Sequence, residues 1–91
     1  MYLEIVSPEA TLFAGEVTSV TVPGINGEFQ MLKDHAPIVS LLQEGKVKID
    51  GTISIDEDYA SRFSEEDGKT ILEISSGTIE MKDNKIIVLA D

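Results

Sequence analysis

The sequence predicts an all-β fold, a two-layer β-sandwich of about ten short strands. Three observations lead there. Apolar and polar residues alternate with a period of two in one segment after another, which is the pattern of a strand with one buried face. Gly, Pro, Asn and Asp punctuate the chain at intervals of roughly 8–12 residues, the rhythm of short strands joined by turns. In the first half, no apolar period of 3.6 residues survives more than one helical turn. Two layers follow because a strand with one apolar face has to hide it against another sheet.

Taken in order, Tyr2 to Val6 reads as a strand and Ser7-Pro8-Glu9 ends it. Thr11 to Phe13 is a short apolar piece, with Ala14-Gly15 read as a turn. Glu16 to Val22 is a strand, with Val17, Ser19 and Thr21 on one face and Thr18, Val20 and Val22 on the other; Pro23-Gly24 is expected to stop it. Gly27 lets the backbone take φ > 0 after Gly24-Ile25-Asn26, and a half-buried strand then runs through Phe29 and Met31. Alternation sends Phe29 to the core and Glu28 outward. Pro37 fixes its own φ and keeps Ala36 extended. Ile38 to Leu42 is a further strand, and Lys46-Val47-Lys48-Ile49 places its two lysines on one face.

The segment 50–69 differs from the rest. Gly51 to Ile55 reads as a strand, because Ile53 and Ile55 alternate with Thr and Ser. The acidic stretch that follows, 57–67, fits either a surface loop or one short helix in which Tyr59 and Phe63 meet at i, i+4. Tyr59 and Phe63 are candidate anchors for a neighbouring protein. Thr70 to Ile74 resumes a strand. Thr78 to Met81 and Lys85 to Leu89 form a hairpin across Lys82-Asp83-Asn84, where Asn84 tolerates the left-handed conformation.

Ninety-one residues make one domain, 1–91, and a chain of this size buries only roughly 60–65% of the surface that its unfolded form exposes. It is therefore expected to gain stability from a partner. A hydrophobic fraction of 42% suffices for a core. There is no Cys, so neither disulfides nor thiol chemistry are available. The net charge of −10 argues against nucleic acid and against anionic lipid, and no apolar run is long enough to insert into a membrane.

The most specific stretch is Gly27-Glu28-Phe29-Gln30-Met31-Leu32-Lys33-Asp34-His35-Ala36-Pro37, which contains the sole histidine. It closely resembles the signature loop of the epsilon subunit of F-type ATP synthases (delta in mitochondrial naming). Further matches lie in order along the chain: Val6-Ser7-Pro8, Leu12 to Val17, Gly45 to Ile49, Ser76 to Met81 and Ile87 to Asp91. The resemblance lapses over roughly 50–69, where the family pattern leads one to expect a short hairpin connection.

What the resemblance implies is mechanical. A chain of this kind is a central-stalk, or rotor, subunit that links the gamma subunit to the c-ring and couples proton transport to ATP synthesis, without catalysis of its own. It sits peripherally at the cytoplasmic face of the inner (plasma) membrane as part of the complex. By the same resemblance, Gly27, Glu28, Phe29 and Gln30 face the c-ring, whose polar loops commonly carry basic residues. Ser7, His35, Ala36 and Pro37 face the gamma subunit. Epsilon subunits commonly continue into a C-terminal pair of helices that inhibit ATP hydrolysis. The sequence ends at Asp91; if that is the native terminus, it resembles a family member with the sandwich alone, and inhibition by the helices is not carried over.

Other chemistry is poorly provided for. A zinc site lacks Cys and a second His. The pair Gly24 and Gly27 lacks the Gly-Lys-Ser/Thr ending of a phosphate loop, so no nucleotide cofactor is expected. Asp56-Glu57-Asp58 and Glu65-Glu66-Asp67 lack the spacing of a calcium loop and read as solvated. Composition leaves open a Ser-His-Asp hydrolase using His35, but no Gly-x-Ser-x-Gly elbow exists. A free-standing β-sandwich module that binds a ligand or peptide is the main alternative. Five aromatics, several needed for the core, supply it with little platform.

Overall fold

The computed structural model describes residues 1–91. The strands are β1 (Tyr2–Val6), β2 (Thr11–Glu16), β3 (Ser19–Gly24), β4 (Gly27–Met31), β5 (Ile38–Leu42), β6 (Gly45–Asp50), β7 (Phe63–Glu66), β8 (Lys69–Ile74), β9 (Gly77–Lys82) and β10 (Lys85–Ala90). One 3-10 helix, Glu57–Arg62, precedes β7. All strands join one sheet in the order β2-β1-β10-β9-β5-β3-β6-β8-β7, with β4 paired to β3. β1 and β10 are parallel and the other pairings antiparallel.

The sheet curls into two layers where β5 meets β3, a junction held by the single pair Gly24 and Leu42. One layer is β2-β1-β10-β9-β5. The other is β4-β3-β6-β8-β7. Their inner faces share a core that includes Leu3, Ile5, Val20, Val22, Met31, Val47, Ile49, Leu72, Ile79, Met81, Ile86 and Val88. Each of these side chains, fully withdrawn from water, contributes about 1.5–3 kcal/mol. The all-β sandwich of about ten strands is the observed fold.

Local departures from the sequence reading have identifiable causes. Ala14-Gly15 is the interior of β2, not a turn. A bulge where Ile5 and Val6 meet β2 turns both Leu12 and Phe13 into the core, and the Phe13 ring lies over Gly15. Pro23 and Gly24 belong to β3 instead of ending it. β3 changes neighbour there, from β6 at Thr21 to β5 at Gly24, so Pro23 falls in the gap between two ladders where its missing N–H costs little. Gly51 to Ile55 forms no strand. Both edges of β6 are already taken by β3 and β8, and Gly51 at φ 141 turns the chain away. Ile53 and Ile55 still pack on the core.

The acidic stretch contains both a helix and a strand. Asp56 caps the 3-10 helix, its Oδ1 accepting from the Asp58 N–H at 2.8 Å. β7 and β8 then turn at Asp67-Gly68, with φ of 52 and 78. β9 and β10 turn at Asp83-Asn84, with φ of 52 and 61. These are the turns that match strand twist, and Asn84 takes the left-handed conformation that the sequence suggests. Tyr59 and Phe63 pack half-buried against the core of their own chain, which uses them as internal props and leaves little of either to anchor another protein.

Candidate functional site

Gly27, Glu28, Phe29 and Gln30 lie together on β4, which pairs with β3 alone. Gly27 opens the strand at φ 120, a conformation that favours glycine. Phe29 turns inward onto the core and lies across Gly24, whose missing Cβ leaves room for the ring. It is a prop for the strand more than a contact surface. Glu28 and Gln30 point outward. Gln30 Nε2 donates to Ser19 Oγ at 3.4 Å, and Glu28 Oε2 lies 3.1 Å from Lys48 Nζ.

The same outer face carries a second ion pair, Lys46 Nζ with Glu66 at 2.8 Å. The hydrogen bond to Glu66, and then its charge, raise the lysine above its ordinary value. A raised pKa means that this stabilisation is complete below the ordinary lysine range and is lost only as pH rises through the shifted value.

His35 sits in the loop between β4 and β5, half-exposed. Its N–H donates to the Leu32 carbonyl at 3.1 Å, and Nδ1 donates to the Ala36 carbonyl at 2.7 Å. The ring is bonded to backbone and not to a serine hydroxyl. Asp34, at φ 63, ties this loop to the β9–β10 turn. Its N–H donates to Asn84 Oδ1 at 2.6 Å, while Asn84 Nδ2 donates back to Asp34 Oδ1 at 2.7 Å. Asn84→Gly keeps the left-handed backbone and removes both bonds. Hydrogen exchange at the His35 amide is expected to accelerate at least about tenfold, with the core amides unchanged.

Ser7 is elsewhere. It closes the bend after β1, its Oγ donating to the Ala10 carbonyl at 3.2 Å. His35, Ala36 and Pro37 precede β5, and Ser7 lies beyond the far end of that strand's layer, about 15 Å away along a five-residue strand. The structure does not bring these residues into one cluster. It places them at opposite ends of one sheet face.

Between them lies a feature that the motif reading passes over. On the outer face of the first layer, Leu41 of β5, Thr78 of β9, Leu89 of β10 and Val6 of β1 stand in one row across the strands. Val39, Glu80, Ile87 and Glu4 form the next row. Val39 is 77% exposed, Leu41 58%, Ile25 53% and Leu89 51%. Ile25, from the β3–β4 turn, and Pro8 join the first row in lining an open groove of about 660 Å³, together with Ser7 and Ser76. A signal for this face exists in the sequence: Ile38-Val39-Ser40-Leu41-Leu42 and Ile86-Ile87-Val88-Leu89 are apolar on both faces, the pattern of strands that are covered on both sides.

Residues 1–91 match the family model of the ATP synthase delta/epsilon chain, beta-sandwich domain. The chain belongs to this family. The match includes 50–69, where the motif resemblance lapses. Relatives include the ATP synthase epsilon chains of Chlorobaculum tepidum and Chlorobium limicola. Each is 37% identical over 89 residues, covering 98% of this chain and 86% of the relative. The epsilon chain of Campylobacter curvus is 34% identical over 91 residues, all of this chain and 60% of that one. Among solved structures, a chain in the central stalk and c-ring of Tetrahymena thermophila mitochondrial ATP synthase superposes with a TM-score of 0.75 at 13% identity, covering 99% of this chain and 62% of that one. A chain in the Euglena gracilis mitochondrial OSCP/F1/c-ring assembly gives 0.73 at 20%, covering 97% and 48%. At those identities the likeness is one of fold.

Proposed function

We propose that this delta/epsilon-family chain is a non-catalytic rotor subunit of an F-type ATP synthase, binding the gamma subunit and seating the central stalk on the c-ring. Proton-driven rotation of the ring is thereby transmitted to the catalytic head. The observation that carries the reading is the unpartnered apolar face of β1-β10-β9-β5, centred on Leu41 and Leu89, in a chain of this family. A sheet face on which Val39, Leu41 and Leu89 each leave half or more of their surface exposed is an interface waiting for its partner. The gamma subunit covers this face, touching Ser7 at one end and the His35-Ala36-Pro37 loop at the other. β4 faces the c-ring with Gly27, Glu28 and Gln30, while Phe29 supports the strand from inside.

Residues 1–91 act as one unit in this role, with the acidic 50–69 stretch folded onto the sandwich. No helix is long and apolar enough to cross a membrane. In this role the chain is held at the cytoplasmic face of the inner (plasma) membrane through its partners.

The test is co-expression with the gamma subunit from the same source, followed by gel filtration with light scattering. A one-to-one complex is the expected result. A monomer indifferent to gamma would overturn the proposal and favour a free-standing module whose ligand fills the 660 Å³ groove. For the ring-facing strand, Glu28→Lys is expected to weaken ring binding about tenfold or more, since it sets like charges together. ATP-driven proton pumping by the reconstituted enzyme should fall while the melting temperature holds. Pumping at the unaltered ratio would remove Glu28 from the ring contact.

A further inference from the structure

Glu28 is not a free carboxylate. Its Oε2 lies 3.1 Å from Lys48 Nζ, with the two side chains 53% and 33% exposed. Lys48 is on β6 and Glu28 on β4, so the pair spans β3. Lys48 stands opposite Thr21, Glu28 opposite Pro23, and these two β3 residues share a face. Other charges share this face: Lys46 is held by Glu66 and faces Glu73, and Lys69 borders the shallow hollow that Glu28 shares with Thr21 and Gln30, but Lys48 is the cation in contact with Glu28. A basic group arriving at β4 meets a carboxylate that already has a cation.

We propose that Lys48 is a positioning residue for ring docking: it holds Glu28 across the outer face of β3, and an incoming basic group binds by exchanging with it for the carboxylate. This rests on the reading of β4 as the ring-facing strand. An exchange of ion-pair partners has consequences that simple capture lacks. Each cation gained is partly offset by one released, so the contact is weaker and less dependent on salt than a free carboxylate would make it.

The test uses complexes of this chain with its gamma subunit, titrated against detergent-solubilised c-ring from the same source at low and high salt. Five versions are compared: wild type, Lys48→Met, Lys48→Arg, Glu28→Gln and the Lys48→Met, Glu28→Gln double variant. Methionine retains the apolar stem of Lys48, which stands over the buried Ile71 on that face, so folding is preserved. Lys48→Met is expected to tighten ring binding about two- to fivefold at low salt and to steepen its salt dependence. In the Glu28→Gln background the same change should do nothing, and Lys48→Arg should behave as wild type. Unchanged or weaker binding by Lys48→Met overturns the proposal. So does tightening of equal size in the Glu28→Gln background, which would mean that Lys48 simply repels the ring. If Glu28→Gln alone leaves ring binding unaltered, the failure lies in the assignment of β4 to the ring, and the exchange falls with it.

Discussion

Leu41→Asp is expected to abolish the complex with the gamma subunit while leaving the free domain folded. Leu41 is 58% exposed and is the fourth of the five residues of β5, on the outer face, so the isolated chain loses little when it becomes polar. Its row continues through Thr78 and Leu89 to Val6, and Ile25 lines the same groove, so Leu41 has apolar neighbours within the exposed surface. Truncating central anchors of protein interfaces typically costs about 2–4 kcal/mol, and a carboxylate buried there without a partner adds a desolvation cost. Binding should therefore weaken by roughly 30- to 1000-fold. Calorimetric titration against gamma reads the loss, and a melting curve of the free chain, shifted by no more than a few degrees, confirms that the fold is intact. Wild-type affinity in Leu41→Asp would move the gamma contact off this face.

The second large effect is on stability. Gly77 begins β9, between Leu42 of β5 and Ala90 of β10. A Cβ at this position would be driven onto the backbone carbonyl oxygen of Leu89 and would also crowd the Ala90 Cα at 3.4 Å. The obstacle is backbone inside a ladder, so no side-chain rotation relieves it. Gly77→Ala is expected to cost about 2–4 kcal/mol, a large part of the stability of a small domain. That corresponds to a fall in melting temperature of roughly 10–25 °C. Gly68→Ala is the informative control. Gly68 has φ 78 but nothing within 4 Å of the added Cβ, so that variant meets backbone strain alone, about 1–2 kcal/mol. If Gly77→Ala melts no lower than Gly68→Ala, close strand approach is not what requires glycine at position 77.

The two glycines mark the boundary between what is local and what is not. Asn84 is legible from sequence, because a two-residue hairpin demands positive φ whatever surrounds it, and Gly68 answers the same local demand in the β7–β8 turn. Gly77 reads in the sequence as one more turn residue after Ser75-Ser76, yet its need comes from a strand that lies beside it only in the folded chain. Most of the strands, the all-β class and the family motif from Gly27 to Pro37 follow from the sequence; β7, read as part of an acidic loop or helix, and the Ala14-Gly15 piece of β2, read as a turn, do not. Alternation and turn chemistry are properties of neighbouring residues. The tertiary structure alone decided the Leu12 bulge, the tolerance of Pro23 between two ladders and the exclusion of 51–55 from the sheet. It also decided which of two apolar faces β5 leaves uncovered, and that Glu28 arrives already held by Lys48. Each of these depends on which edge meets which, and contacts such as Asp34 with Asn84, 50 residues apart, leave no trace in a local pattern.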